Sequence, residues 1–166
     1  MYVFQDKTST LDIYTDADYA GDLEERTSTT CVVPRRGRHV IAPHVGTQSV
    51  QALSSGEAEF YAMVKGIVIG LFVKNFVKFF EAPPQITILS DSSAARGMIS
   101  RLGVGRKAKH IDTQFLFAQQ LIYDGTIKVK SVPTAENVAD IGTKNLPQAR
   151  MDYLMKLLDM RVVDEE

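Results

Sequence analysis

Four acidic residues, far apart in the sequence, have local settings that could bring their carboxylates to one point. Asp16 and Asp91 end two predicted strands, in the matching settings Tyr-Thr-Asp and Leu-Ser-Asp, and Glu59 opens the predicted helix between them. If the two strands are parallel neighbours joined through that helix by a right-handed crossover, their ends lie roughly 4.8 Å apart. Ligands bind at such carboxyl ends. Asp140, near the start of a later predicted helix, is a natural fourth member.

Four carboxylates that meet with no arginine among them would repel one another and would need divalent cations. All-oxygen ligands favour Mg²⁺ or Mn²⁺ over zinc. Two such ions about 3.5–4 Å apart clamp the attacking and leaving oxygens in phosphodiester hydrolysis. Each acid also has an ordinary alternative, because a strand-ending Asp can cap a turn, a first-turn Glu favours the helix dipole, and Asp140 alone would be a surface charge. The joint pattern is what indicates a metal site.

The two glutamates that open the long helix have different predicted roles. Ser54 and Glu57 have the spacing of a capping box, in which the hydroxyl accepts from one free N–H and the Glu reaches back to another. Glu59 lies roughly 200° further round the helix and leads an apolar row, where an unpaired carboxylate is costly. We therefore predict a structural role for Glu57 and a place in the acid cluster for Glu59.

Hydrophobic patterning predicts the elements that must position these acids. The predicted strands are residues 10–16, 28–34, 39–45, 85–89 and 126–132, of which the first three form an antiparallel meander. The predicted helices are residues 54–80, 92–101 and 111–122, one that opens at Pro133 and carries Asp140, and one from Pro147. This order indicates an α/β fold with a mixed sheet covered by helices. We expect a single domain over residues 1–166, with a core of about 10–146 and an amphipathic C-terminal helix of about 147–160.

The composition of the 166-residue chain narrows the possible functions. A net charge of −1 provides no overall basic field, so contacts with nucleic acid must come from local patches. The single cysteine, Cys31, excludes an internal disulfide and a multi-cysteine zinc site. Polar breaks interrupt every apolar stretch of about 18 residues, and the first residues lack the order of a secretory signal. We therefore expect a soluble, intracellular protein with no membrane partner.

Five segments span nearly the whole chain and carry the candidate acids. They are Tyr14-Thr-Asp-Ala-Asp-Tyr-Ala-Gly-Asp22, Ala52-Leu-Ser-Ser-Gly-Glu-Ala-Glu-Phe-Tyr61, Leu89-Ser-Asp-Ser-Ser-Ala-Ala95, Lys109-His-Ile-Asp112 and Val132-Pro-Thr-Ala-Glu-Asn-Val-Ala-Asp-Ile-Gly-Thr-Lys144. In this order and spacing they resemble the ribonuclease H domain that ends the polyprotein of copia-type LTR retrotransposons. The resemblance implies a five-stranded mixed sheet with the antiparallel meander first and helices on both faces.

The resemblance also implies an activity and its residues. Asp16, Glu59, Asp91 and Asp140 match the catalytic, metal-binding acids of the family, which hold two Mg²⁺ ions that Mn²⁺ can replace. The implied enzyme is an endonuclease that hydrolyses the RNA strand of RNA–DNA hybrids and leaves a 5′-phosphate and a 3′-hydroxyl. One departure concerns mechanism: many cellular relatives have a histidine in the loop before the last Asp, whereas residues 131–137 contain none.

Contacts to a hybrid are expected mainly at phosphates and 2′-hydroxyls. N–H groups at a helix start suit a phosphate, and a basic run and single polar residues lie near the acids. The predicted nucleic-acid-binding residues are Ser54, Ser55, Gly56, Ser93, Arg106, Lys107, Lys109 and Lys144. For each Lys or Arg, a solvated surface charge is the alternative.

The resemblance implies partners besides the hybrid. These are a reverse transcriptase domain upstream or a larger nucleoprotein assembly, in a cytoplasmic retroelement particle. The alternative from another class is a domesticated ribonuclease H-like domain that serves as a structural or nucleic-acid-binding subunit of a larger assembly. Four acids brought together argue against this alternative, because a scaffold does not require carboxylates that repel one another.

Overall fold

The computed structural model describes residues 7–22, 24–101 and 112–160, apart from the side chains of residues 112 and 115. The strands are β1 (Thr10–Asp18), β2 (Thr29–Arg36), β3 (His39–Val40), β4 (His44–Thr47), β5 (Gln85–Ser90) and β6 (Ile127–Ser131). The α-helices are α1 (Ser55–Val77), α2 (Ser93–Ser100), α3 (Asp112–Tyr123) and α4 (Gln148–Leu157). Two 3₁₀ turns, Thr134–Glu136 and Val138–Gly142, replace the single helix predicted to carry Asp140.

The strands form one mixed sheet in the order β3-β2-β1-β5-β6, and β4 also pairs with β2. The β1–β2 pair is antiparallel, and β5 is parallel to both β1 and β6. The predicted α/β class is confirmed, but the prediction of five strands is wrong by one. The third predicted strand is two short strands, β3 and β4, because Ala42 has a positive φ of 47° and Pro43 has no N–H to donate. Both short strands still pair with β2.

Strand β1 runs two residues further than the predicted end at Asp16. Its antiparallel pairing with β2 continues through Asp16 opposite Cys31, while its parallel pairing with β5 stops at Tyr14 opposite Leu89. Asp16 therefore lies just beyond the last paired residues of the two parallel strands. This is the edge of the sheet where Asp91 directly follows β5.

Helix α1 is the central element on one face of the sheet. By length and composition alone its 23 residues could cross a membrane. In the structure it packs against β1, β2 and β5, where Phe60, Met63 and Ile67 are fully buried, while Phe72 and Phe76 further along remain exposed. The N-terminal half of α1 is thus a core helix, and this half carries Glu59.

The other face of the sheet is covered by α4 and the second 3₁₀ turn. Along β2, Val32 joins the cluster around α1, whereas Cys31 and Val33 join a second cluster with Leu154 and Leu158 of the α4 region. This alternation follows from the period of two along a strand. Helices on both faces, as the resemblance implied, are therefore confirmed.

Two glycines let α1 approach the sheet closely. A Cβ on Gly66 would lie 2.8 Å from Thr15 Cγ2, and one on Gly70 would lie 2.5 Å from Ile13 Cδ1. The Thr15 hydroxyl donates to the carbonyl of Leu89 at 3.3 Å, which restrains its side chain. The close contact is made next to Asp16, so the two glycines also help to set the distance between α1 and the acid on β1.

We expect Gly66→Ala to lower the stability of the fold. Overpacking of a core costs about 1–3 kcal/mol, which exceeds the roughly 1 kcal/mol that alanine gains over glycine in a helix. The matched control is Gly97→Ala in α2, where a new Cβ meets nothing within 4 Å and only the helix-propensity gain applies. Urea unfolding of both variants measures the difference, and a Gly66→Ala protein as stable as Gly97→Ala would contradict the close packing.

Candidate active site

Three of the four predicted acids converge in the structure. Carboxylate oxygens of Asp16, Glu59 and Asp91 all lie within 4.8 Å of one another. They come from β1, from the first turns of α1 and from the residue after β5, so the parallel pairing of β1 and β5 and the crossover through α1 bring them together. Asp16 is 1% exposed, and the other two are half-buried.

The cluster raises the pKa of two of its acids. Burial, followed by the charges of Asp16 and Asp91 and a hydrogen bond with Asp16, raises the pKa of Glu59 to about 8. Burial is also the largest cause that raises the pKa of Asp16 above its ordinary value, against a hydrogen bond from Thr143 and the charge of Lys144. Without a metal ion, Glu59 is therefore largely protonated at neutral pH.

Asp140 lies beside this cluster but is paired with basic side chains. Its carboxylate is 3% exposed and accepts from Lys144 Nζ at 2.5 Å and from Arg150 Nη2 at 3.2 Å. The expectation of four acids with no arginine among them is therefore wrong. Lys144 reaches back one turn along the chain, and Arg150 approaches from α4, which the linear pattern did not indicate.

Lys144 contacts two of the acids, although the sequence indicated it only as a phosphate contact or a surface charge. Its ammonium lies 3.4 Å from the Asp16 carboxylate as well as 2.5 Å from Asp140. Burial opposes the charged ammonium, but hydrogen bonds and the charges of Asp140 and Asp16 outweigh it and raise its pKa. The Thr143 hydroxyl also donates to Asp16. The turn after Asp140 thus supplies two donors to Asp16.

Asn137 is a buried residue that hydrogen-bonds to Asp91 and to β1, and the sequence analysis did not identify it. It is fully buried, and its side-chain N–H groups donate to the Thr15 carbonyl at 3.1 Å and to Asp91 Oδ1 at 3.3 Å. The side-chain oxygen of Asn137, Oδ1, accepts from the N–H of Ala139 at 3.3 Å and caps the turn that carries Asp140. An Asn three residues before the candidate Asp is a capping signal, and it was the one available pointer to this role.

The two glutamates at the start of α1 have different contacts, as predicted from their positions on the helix. Ser54 Oγ accepts from the N–H of Glu57 at 3.2 Å, as a capping box requires. The Glu57 carboxylate accepts from the N–H of Leu53 at 3.0 Å and from the Tyr61 hydroxyl at 2.9 Å. Glu57 is thus bound to the helix start, whereas Glu59 faces Asp16 and Asp91.

Four of the other predicted nucleic-acid contacts lie at the starts of α1 and α2. Ser54 and Ser55 are exposed at the start of α1, with Gly56 half-buried behind them, and Ser93 is exposed in the first turn of α2. The remaining three, Arg106, Lys107 and Lys109, lie outside the described residues. Their predicted role stays a prediction.

The cluster is distinct from a groove of about 290 Å³ between the β4 region and α1. That groove is lined by residues such as His44, Gln48, Tyr61 and Lys65, and it includes none of the four candidate acids.

The acid cluster fits divalent cations of the magnesium type. Glu59 Oε2 is buried and has no hydrogen-bond partner within the part of the chain that the structure describes. An uncompensated carboxylate oxygen of this kind is costly unless a cation binds it. The donors are all carboxylate oxygens at mutual distances that one ion or an ion pair can bridge, and such donors suit Mg²⁺ or Mn²⁺.

The architecture is shared with ribonucleases H of known structure. The chain matches ribonuclease H1 of the archaeon Halobacterium salinarum with a TM-score of 0.58, over 80% of this chain and 93% of that one, at 15% identity. It also matches LC11-RNase H1, isolated from compost and crystallised with an RNA/DNA hybrid, with a TM-score of 0.55 over 80% and 92% at 14% identity. At these identities the likeness establishes the fold, which is that of ribonuclease H.

The sequence itself is related to a transposon protein. Over 148 residues, or 89% of this chain, it is 28% identical to the retrovirus-related Pol polyprotein of transposon TNT 1-94 from Nicotiana tabacum. The chain spans 11% of the length of that relative. No protein-family model matches it. Fold and sequence together confirm the predicted resemblance to the ribonuclease H domain of a retrotransposon polyprotein, whereas the copia-type assignment stays a prediction.

Glu59 should make the stability of the metal-free protein depend on pH. Because its pKa is raised from 4.5 to about 8, the folded state favours the protonated acid, and this stabilisation is complete below pH 4.5 and lost as the pH rises through 8. We expect the Tm in chelator to fall between pH 5 and pH 9, and Glu59→Gln, which cannot ionise, to lack most of that fall. Glu57→Gln is the matched control and should retain it. A wild-type Tm that rises over this range would refute the assignment.

Asn137→Ala should weaken Mg²⁺ binding, because it removes the donor that fixes Asp91 against β1. Hydrogen-bond partners of metal ligands typically contribute about 10- to 100-fold in metal affinity or activity. We expect a loss of this size by isothermal titration calorimetry, with Asn145→Ala, an exposed Asn in the same region, unchanged. Circular dichroism checks that the variant is folded. An unaltered Mg²⁺ affinity in folded Asn137→Ala would show that Asn137 does not position the cluster.

Proposed function

We propose that the chain is a metal-dependent endoribonuclease that hydrolyses the RNA strand of RNA–DNA hybrids. The observation that carries the proposal is the convergence of Asp16, Glu59 and Asp91 within 4.8 Å at the carboxyl ends of the parallel strands. The ribonuclease H fold and the relation to a Pol polyprotein support a nuclease, and LC11-RNase H1, which has this fold, was crystallised with an RNA/DNA hybrid. The hybrid is accordingly the proposed substrate.

In this mechanism the four acids hold two Mg²⁺ ions, which, when bound, supply Lewis-acid stabilisation and lower the pKa of the attacking water. The chain itself contributes rigid placement of the donors. Asp16 is fixed by its strand pairing and by Thr143, and Asp91 is fixed by Asn137. Glu59 must lose its proton to become a ligand, because burial and neighbouring charges raise its pKa to about 8. Metal binding should therefore release a proton and strengthen as the pH rises toward 8.

The substrate is proposed to lie beside the starts of α1 and α2, at the carboxyl ends of β1 and β5. Backbone N–H groups at a helix N-terminus favour a phosphate through their dipoles. The exposed residues Ser54, Ser55 and Ser93 stand at these two helix starts and can donate to phosphate or 2′-hydroxyl oxygens. Contacts of this kind read the shape of a hybrid and carry little base specificity.

The energetics of Glu59 favour an enzyme over the alternative of a purely structural subunit. Lys144 and Arg150 compensate the charge of Asp140, so repulsion at that acid does not argue for a metal. Glu59, in contrast, keeps a buried oxygen without a partner among the described residues and a pKa of about 8. Strongly perturbed acids of this type cluster at functional sites. A scaffold would be more stable with a neutral residue at this position.

Cleavage of a labelled RNA–DNA hybrid in Mg²⁺ tests the proposal. Asp91→Asn and Glu59→Gln should each lose more than roughly 100-fold of the activity, since removing a metal ligand costs at least as much as removing one of its supporting partners. Glu57→Gln is the matched control: it weakens a charge-assisted contact at the helix start and should lower the Tm slightly while retaining most turnover. Wild type and Asp91→Asn that are equally inert over a wide range of Mg²⁺ and Mn²⁺ would end the proposal.

A further inference from the structure

Lys144 places a positive charge between two buried carboxylates of the candidate metal site. Its ammonium lies 2.5 Å from Asp140 Oδ1 and 3.4 Å from either oxygen of Asp16. The two acids are 3% and 1% exposed, whereas the lysine side chain is 41% exposed. A partly exposed side chain therefore supplies charge compensation to carboxylates that are buried in the interior.

The ammonium is bound to carboxylate oxygens that would also bind a metal ion. Magnesium binds carboxylate oxygens at about 2.0–2.1 Å, and Lys144 Nζ already lies 2.5 Å from Asp140 Oδ1. Two cations close together in a poorly solvated cluster would repel each other strongly. Lys144 and a metal ion would therefore compete for Asp140.

The two basic partners of Asp140 differ in how firmly they are held. Arg150 also donates to the backbone carbonyls of Thr134 and Ala135, so its guanidinium is anchored independently of the acid. Among the described residues, the ammonium of Lys144 hydrogen-bonds only to Asp140 and Asp16. An incoming ion can therefore displace Lys144 toward solvent, while Arg150 and Thr143 keep the two carboxylates in place.

We propose that Lys144 is a built-in counter-cation that stabilises Asp16 and Asp140 in the metal-free protein and is displaced when divalent metal binds. The inference rests on the proposed function only in taking these acids as the metal site. Lys144 is a positioning residue: it keeps the two carboxylates oriented before metal arrives, and it competes with the metal for them.

Titration of the metal-free full chain with Mg²⁺ alone tests this competition. Lys144→Met should have a lower Tm in chelator but should bind Mg²⁺ more tightly, by about 5-fold or more, the size typical of coupling between two linked binding events. The matched control is Lys128→Met, an exposed lysine on β6 that removes the same charge from outside the cluster. Its Mg²⁺ affinity should change much less, which separates local competition from the loss of net charge.

A measurement on the wild-type chain covers the case in which Lys144→Met fails to fold. Pulse acetylation followed by mass spectrometry reports the exposure of each lysine amine. Lys144 should become more reactive when Mg²⁺ is added, while Lys128 should not change. Unchanged or weaker Mg²⁺ binding in folded Lys144→Met, or a Lys144 amine that Mg²⁺ leaves equally protected, would overturn the inference. Wild type that binds no Mg²⁺ would instead overturn the proposed function together with it.

Discussion

The cost of burying three carboxylates within 4.8 Å of one another is the constraint on which the rest of this structure depends. Burial is the larger part of that cost, because water is no longer available to solvate Asp16 or the inner oxygen of Glu59, and repulsion among the acids adds to it. The pKa of about 8 at Glu59 expresses this cost. Every neighbouring group can be understood by how it lets the fold hold these acids together.

The compensation is divided between groups anchored in the fold and one partly exposed lysine. Asn137 and Thr143 are hydrogen-bonded within the fold, and Arg150 is bound to backbone carbonyls, so these residues set where the carboxylates lie. Lys144, whose side chain is 41% exposed, adds a positive charge beside Asp16 and Asp140. The position and the charge of the acids are thus controlled by different side chains.

Much of the fold could be predicted because it follows from local patterns and general topological rules. Alternating apolar residues identified β1, a strand after the Pro83-Pro84 break identified β5, and the right-handed crossover rule through α1 placed their carboxyl ends together. The same rules predicted that Asp16, Glu59 and Asp91 meet at those ends. Two details differ from the prediction: the chain turns at Ala42, which divides the third predicted strand, and Asp140 lies on a 3₁₀ turn.

The sequence by itself determined which acids lie at strand and helix ends and that Ser54 and Glu57 pair at the start of α1, because these features depend on residues only a few positions apart. Only the tertiary structure decided what surrounds the acids. Arg150 reaches Asp140 from a different helix, and Asn137 donates both to Asp91, 46 positions away, and to Thr15 on β1, 122 positions away. Such contacts depend on how whole elements pack, and no local period or spacing encodes that packing.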